Sequence, residues 1–292
     1  MAGGVNLVAL TAPSSQYDRV ASASAAAVIQ GYSTSFGWAS RLLTEPVRSH
    51  VRNVYALVRV ADEVVDDPTT AWSDAERRLV LDRLEAETYD ALRTRRSANL
   101  VVHAFASTAS LVGIDRRLIE PFFSSMRTDL SVRTHDRESF EAYVYGSAEV
   151  VGLMCLRVFV RGDDAAYERL AAPAARLGAA FQKLNFLRDV AEDHGVRGRS
   201  YFPDLDPERF SDADRDAVLD DVDADLAAAA SALPYLPPSS RRAVAAAHAL
   251  FAALSRRLRA TPAEQIRRER VRVPNQVKAA AVARTVLTGR RA

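Results

Sequence analysis

An all-α fold follows from three features of the 292-residue sequence. Alanine, leucine, arginine and glutamate, all strong helix formers, recur along its length; glycine is sparse, at 12 residues; and no segment alternates apolar and polar side chains as a half-buried strand would. Prolines and capping residues then divide the chain into successive helices. A first helix is predicted over residues 17–43, ending before Pro46, and a second over 46–67, ending at Pro68. Ser73, Asp74, Ala75 and Glu76 have the capping-box spacing and start a third, to residue 95. Further helices are predicted over 99–112, 116–131, with Pro121 a candidate bend, 139–160 and 164–172. Pro173 suits the first turn of the next helix, which runs to Asp193. Residues 194–207, rich in glycine, proline and arginine, read as a loop, followed by helices over 211–232, 239–260 and 274–287. No shift in composition marks a second domain and no period of 20 to 50 residues marks a solenoid, so residues 1–292 are expected to form a single domain with 1–14 as a flexible N-terminus.

Composition excludes several classes of function. The 39 basic and 37 acidic residues nearly cancel, leaving +2, so no nucleic-acid partner is implied. A single cysteine, Cys155, rules out an intrachain disulfide, and its apolar neighbours point to a buried, inert thiol in a reducing compartment. The five histidines are scattered without zinc-ligand spacing, so any metal should be held by oxygen. No basic residue precedes Arg19, as a signal peptide would require, and no uninterrupted apolar run reaches the ~18 residues of a membrane span. The expected location is the cytoplasm, with peripheral contact to a membrane left open.

Two polar stripes interrupt this pattern. At helical spacing Gly178, Gln182, Asn185, Asp189 and Asp193 fall on one face, as do Tyr55, Arg59, Asp62 and Asp66 of an otherwise apolar helix. Like charges four residues apart repel by a few tenths of a kcal/mol on an isolated helix, so helix stability gives no reason for Asp62 with Asp66 or Asp189 with Asp193. Salt bridges from Arg59 to Asp62 or Asp66, and from Arg188 to Glu192, would account for single residues. Two aspartate pairs on two apolar helices are better explained by Mg²⁺, which takes one or two carboxylates and fills its remaining positions with water and ligand phosphates. The ligand so implied is a diphosphate.

At these residues the chain resembles the squalene and phytoene synthase family of head-to-head isoprenyl-diphosphate enzymes. The resemblance spans nearly the whole chain. It rests on Asp62-Glu-Val-Val-Asp66 after Tyr55 and Arg59, on Tyr143-Val-Tyr-Gly-Ser-Ala-Glu-Val-Val-Gly152, on Gln182-Lys-Leu-Asn185-Phe-Leu-Arg-Asp189-Val-Ala-Glu-Asp193, and on Arg199-Ser-Tyr-Phe-Pro203. Tyr32-Ser-Thr-Ser-Phe36 is similar to the family's serine-rich start. The chain departs from the family at Val144 and Glu149, where small residues are usual, and at Phe251, where many members have tyrosine. The Asp-Asp-x-x-Asp motif of head-to-tail enzymes and terpene cyclases is missing, because Asp66-Asp67 is followed by Pro68-Thr-Thr70.

The resemblance implies an isoprenoid-synthase helical bundle with a central active-site cavity. It implies a prenyltransferase that joins two geranylgeranyl diphosphates through a cyclopropylcarbinyl diphosphate to phytoene. The alternatives are a dehydrosqualene or squalene synthase using farnesyl diphosphate, a diterpene cyclase, or, outside enzymes, a non-catalytic prenyl-lipid-binding subunit. The implied metal is Mg²⁺, with Mn²⁺ as its substitute, on Asp62, Asp66, Asn185, Asp189 and Asp193; NADPH is not expected. The four aspartates and Tyr55 are the expected catalytic residues. Ser33, Ser35, Phe36, Arg59, Tyr143, Gln182, Arg188, Arg199 and Tyr201 are the expected substrate-binding ones. Guanidinium suits phosphate oxygens, and aromatic faces such as Phe36, Tyr55, Tyr143 and Phe181 suit a carbocation. Small residues at Gly152, Gly178, Ala179 and Ala180 would either admit a polyprenyl chain or let helices approach. Residues 195–203, with Arg197, Arg199, Tyr201 and Phe202, read either as a lid that excludes water or as a basic surface loop. The prenyl diphosphates are the expected partners, with downstream carotenoid enzymes as a further association.

Overall fold

The computed structural model describes residues 15–32 and 39–288, and these are helical with no strand among them. Helix α1 covers Gln16–Tyr32, and where the described residues resume the chain turns before Pro46, with the Leu42 N–H donating to the Ala39 carbonyl at 3.0 Å. Helix α2 (Val47–Asp66) runs through the molecule and buries Val51, Val54, Leu57, Ala61 and Val65, one stripe at helical period. Helix α3 (Asp74–Thr94) begins at the expected capping box, with Ser73 accepting from the Glu76 N–H and Glu76 reaching back to the Ser73 N–H. Helix α4 (Leu100–Val112) is capped by Asn99 and α5 (Arg116–Ser131) by Asp115, and Pro121 is accommodated within α5.

Two expectations change. The helix predicted over 139–160 is α6 (Arg137–Val144) and α7 (Val150–Phe159) joined by a π-helical turn at Tyr145–Glu149. Such a turn inserts one residue without ending the helix, which a 3.6-residue pattern does not reveal. Pro173 does not start a helix; it lies inside α8, continuous from Asp164 to Arg197. Nucleation comes from upstream, where the Asp163 carboxylate accepts from the Ala166 N–H at 3.0 Å, and Leu170, Ala171 and Ala174 pack on both sides of the proline. That packing offsets the ~3 kcal/mol a mid-helix proline costs.

Helices α9 (Asp212–Ala232), α10 (Pro238–Arg259), α11 (Ala263–Ile266) and α12 (Asn275–Thr288) complete the bundle. The core has two large parts. One surrounds α2 and draws Phe105, Phe122, Phe123 and Met154 from α4, α5 and α7. The other joins α8 to α9, α10 and α11 through Leu184, Leu187, Leu219, Val222, Leu258 and Ile266. Between α7 and α8 a side chain on the facing glycines would not fit: a Cβ on Gly178 would meet the Ala148 carbonyl at 2.5 Å, and one on Gly152 the Ala174 carbonyl at 2.8 Å. The two glycines thus allow the close approach of the backbones. The stretch Arg137–Phe159 has the length and mean hydropathy, 1.3, of a membrane-spanning helix, but the π turn divides it and over half of it is buried inside the bundle.

Candidate active site

Tyr143, Val144, Ala179, Phe186 and Tyr201 form a smaller, largely aromatic cluster with Phe140 and Phe202 packed against it. On α2 a face flanking the buried valines carries Tyr55, Arg59, Asp62 and Asp66, all half-buried. Arg59 donates to Asp62 at 2.5 Å and to Glu63, which sets it among the acids of its own helix as the salt-bridge reading expects. Its guanidinium also lies over the Tyr32 ring, 4.5 Å from the centroid, so the end of α1 reaches the first aspartate pair. Ser33, Ser35 and Phe36 fall just beyond Tyr32 and lie outside the described residues.

On α8, Gln182, Asn185 and Asp189 are half-buried along one face and Asp193 is buried at its end. Arg188 pairs with its neighbour Asp189, at 2.8 and 2.5 Å, rather than with Glu192. Glu192 and Asp189 are instead both reached by Arg270 from the C-terminal segment, at 3.5 and 2.9 Å.

Residues 194–197, expected in a loop, instead continue α8, and the segment that follows them is neither an exposed loop nor an open flap. Gly198, at φ 63°, ends the helix in the left-handed conformation that glycine adopts without strain, and turns the chain inward. The Ser200 N–H then donates to the Arg133 carbonyl at 2.8 Å. Arg199 and Tyr201 are thereby buried. Arg199 donates to Asp66 at 2.8 Å and to the main-chain carbonyl of Asp129 at 3.0 Å. Tyr201 stacks on Phe186 at 3.9 Å, and Arg199, Tyr201, Phe202 and Asp193 line one small niche. The end of the first aspartate pair and the end of the second thus meet the same short segment. Arg197, read from the sequence as part of it, has its side chain outside the described residues.

Asp129 of α5 escapes the motif reading. Its carboxylate accepts from the Tyr143 hydroxyl at 2.7 Å and lies 3.6 Å from the Arg199 guanidinium and 3.4 Å from the Tyr201 hydroxyl. Burial pushes its pKa up to about 7 against the opposing pull of Arg199. The same desolvation raises the Tyr143 and Tyr201 phenols, with the Asp129 charge adding to it. Burial alone would lower Arg199, but Asp129, Tyr201 and Asp66 outweigh it and keep it charged. A signal was present in the sequence: Asp129 shares the helical stripe of Phe122 and Met126, where an acid has no place in an ordinary core.

A cavity of about 540 Å³ opens beside Asp189. Leu250, Phe251, Leu254, Val271 and Val273 give it an apolar wall, and Arg188, Arg270, Arg272 and Lys278 a cationic one. Phe251 stacks flat on Phe181, centroids 3.7 Å apart, so the ring without a hydroxyl forms part of an aromatic wall. Apolar lining with a few charged groups fits a ligand that has an anionic head and a hydrocarbon tail. Glu149, the departure in the middle motif, has its pKa raised by burial and senses Lys183, Asp225 and Arg176.

Among the described residues no three His, Cys, Asp or Glu side chains converge into a ready-made metal cage. The donors on the two stripes are nonetheless all oxygens, carboxylates in pairs with one amide, which suits a hard cation completed by water and phosphate.

The comparisons agree with this geometry. A family model described as squalene/phytoene synthase matches residues 29–276. The 15-cis-phytoene synthase of Paracoccus sp. (strain N81106 / MBIC 01143) is 30% identical over 253 residues, covering 80% of each chain. The phytoene synthase of Pseudescherichia vulneris is 30% identical over 244 residues, covering 75% of this chain and 76% of that one. Chloroplastic phytoene synthase 3 of Zea mays is 33% identical over 198 residues, and the match spans 45% of that longer protein. Among solved structures, a dehydrosqualene synthase in complex with a ligand superposes with a TM-score of 0.76 at 20% identity, covering 95% of this chain and 99% of that one. A squalene synthase from Alicyclobacillus acidocaldarius gives 0.73 at 20% identity over 86% and 98%. These two share the fold.

Proposed function

Because the chain belongs to the squalene/phytoene synthase family, we propose that it joins two prenyl diphosphates head to head, and that geranylgeranyl diphosphate is the substrate and phytoene the product. The observation that carries this reading is the meeting of the two aspartate helices on one buried segment, Asp66 bonded to Arg199 and Asp193 lining the niche Arg199 shares with Tyr201.

In the proposed reaction the first allylic diphosphate leaves, and the double bond of the second molecule attacks the vacated carbon. Loss of a proton closes the cyclopropane. Departure of the second diphosphate, rearrangement and loss of a further proton give the hydrocarbon, so two substrates yield one phytoene and two diphosphates. The chain's own groups serve these steps in distinct ways. Arg188, Arg270, Arg272 and Lys278 border the cavity with positive charge that complements the departing diphosphate. Phe251, backed by Phe181, offers an aromatic wall to the cationic carbon, and Tyr143, Phe186 and Tyr201 keep the neighbouring region dry. Asp62, Asp66, Asn185, Asp189 and Asp193 are the residues that would hold Mg²⁺, with Mn²⁺ as its substitute. The metal's contribution is to neutralise phosphate oxygens as the diphosphate leaves. On this reading the enzyme works in the cytoplasm without NADPH, in peripheral contact with a membrane and in association with later carotenoid enzymes.

Incubating the protein with Mg²⁺ and either geranylgeranyl or farnesyl diphosphate, with and without NADPH, tests the reading. Phytoene from geranylgeranyl diphosphate alone is expected. Products only from farnesyl diphosphate would overturn the substrate, and no diphosphate release from either would overturn the activity.

A further inference from the structure

We propose that Asp129 is a positioning residue for the reaction, the post to which the segment 198–203 is tied so that it closes the first aspartate pair and aligns Tyr143. Three groups from two distant parts of the chain converge on it, and a fourth is reached through one of them. Tyr143 of α6 donates to its carboxylate at 2.7 Å; Arg199 binds its carbonyl at 3.0 Å and sits 3.6 Å from the carboxylate; Tyr201 reaches it at 3.4 Å; and Arg199 in turn grips Asp66 of α2 at 2.8 Å. The Asp129 side chain is only 7% exposed, as is that of Arg199, so neither charge has water to fall back on and each depends on the other. A carboxylate serving salt-bridge stability alone would need one partner. This one holds Tyr143 of the middle motif directly and the first aspartate motif through Arg199, beside the mutually packed rings of His135, Tyr143, Phe186 and Tyr201.

The expected consequence of losing its charge is local. Asp129→Asn keeps the shape and an acceptor for Tyr143 but removes the counter-charge of Arg199, so the segment is released while the helices stay packed. The role in turnover rests on the proposed prenyl-diphosphate activity; the tie itself does not. Two readouts therefore separate them. The first is tryptic cleavage after Arg197 or Arg199 without any substrate, compared between the parent protein, Asp129→Asn and Asp225→Asn. Asp225 is an equally buried acid that pairs with Arg176 and Lys183 away from this segment. Cleavage about tenfold faster in Asp129→Asn alone is expected, the scale of one lost charge-assisted bond. Cleavage at the parent rate in folded Asp129→Asn, or equal acceleration in Asp225→Asn, would overturn the tie. The second is turnover of geranylgeranyl and farnesyl diphosphate with Mg²⁺. A kcat lowered about tenfold with KM changed less than about threefold is expected for a group that aligns rather than binds. An unchanged kcat would overturn the positioning role. A parent protein inactive on both substrates would overturn the proposed activity and leave the tryptic comparison to judge Asp129 alone.

Discussion

The two aspartate pairs have the same spacing but are held differently. On α2, Asp66 is bonded to Arg199, a guanidinium whose side chain is 7% exposed and which is itself braced against buried Asp129. On α8, Asp189 is held by Arg188 and by Arg270, the latter 42% exposed on the C-terminal segment. Ion pairs of the first kind are stiff and costly to break; those of the second are screened by water and exchange partners at small cost. The contrast is between two partners, a buried guanidinium that fixes Asp66 and a solvent-facing one that reaches Asp189 beside the open cavity.

The largest expected effect is common to both pairs. Asp62→Asn and Asp189→Asn should each lower kcat by about 10³-fold or more, because each removes charge from where the leaving diphosphate is to be neutralised. A circular-dichroism spectrum like the parent's would show that the helices persist, and turnover within tenfold of the parent in either variant would break the symmetry of the two pairs. Next come the two arginines, which should separate the pairs. Arg199→Ala should cost about 3 kcal/mol of stability by stranding Asp129 in a buried site, whereas Arg270→Ala should cost less than about 1 kcal/mol and act mainly on KM. Urea unfolding of both variants checks this, and equal losses would erase the distinction between a buried and a surface-held pair.

Smaller effects test the packing that brings the pairs together. Gly178→Ala should destabilise by about 1–3 kcal/mol, since its Cβ would meet the Ala148 carbonyl at 2.5 Å, and a parent-like thermal midpoint would show that α7 and α8 yield more readily than their contact suggests. The smallest effect concerns the α2 side alone. His50 bonds Thr108 of α4 at 2.9 Å, and burial lowers its pKa below the usual 6.5, with Glu45 opposing. In the unfolded chain His50 takes up a proton near pH 6.5 but in the folded protein it resists, so stability is retained above that pH and falls as the pH drops below it. His135, lowered by burial in the same direction, adds to the fall. Thermal midpoints measured across this range should fall less steeply in His50→Gln than in the parent, and identical slopes would clear His50 of the effect.

Much of this was legible in the sequence, for identifiable reasons. Helix starts at Ser73, Asn99 and Asp115 are set by local hydrogen bonds between near neighbours, and local rules found them. Asp62, Asp66, Asp189 and Asp193 stood out because each pair breaks an apolar pattern. What stayed hidden depends on contacts distant in the chain. The burial of Arg199 is decided by Asp66, 133 residues away, and the second partner of Asp189 comes from Arg270 in the C-terminal segment. The π turn at Tyr145–Glu149 and the continuity of α8 through Pro173 are likewise set by packing partners, which override the local preference.

On the proposed function, the two aspartate pairs act on one diphosphate through one set of metal ions. Calorimetric titration of the parent protein, Asp62→Asn and Asp189→Asn with the unreactive analogue geranylgeranyl thiodiphosphate, with and without Mg²⁺, tests it most directly. Mg²⁺ should tighten binding to the parent, and either substitution should remove this Mg²⁺-dependent gain. A gain that survives intact in either variant would contradict it.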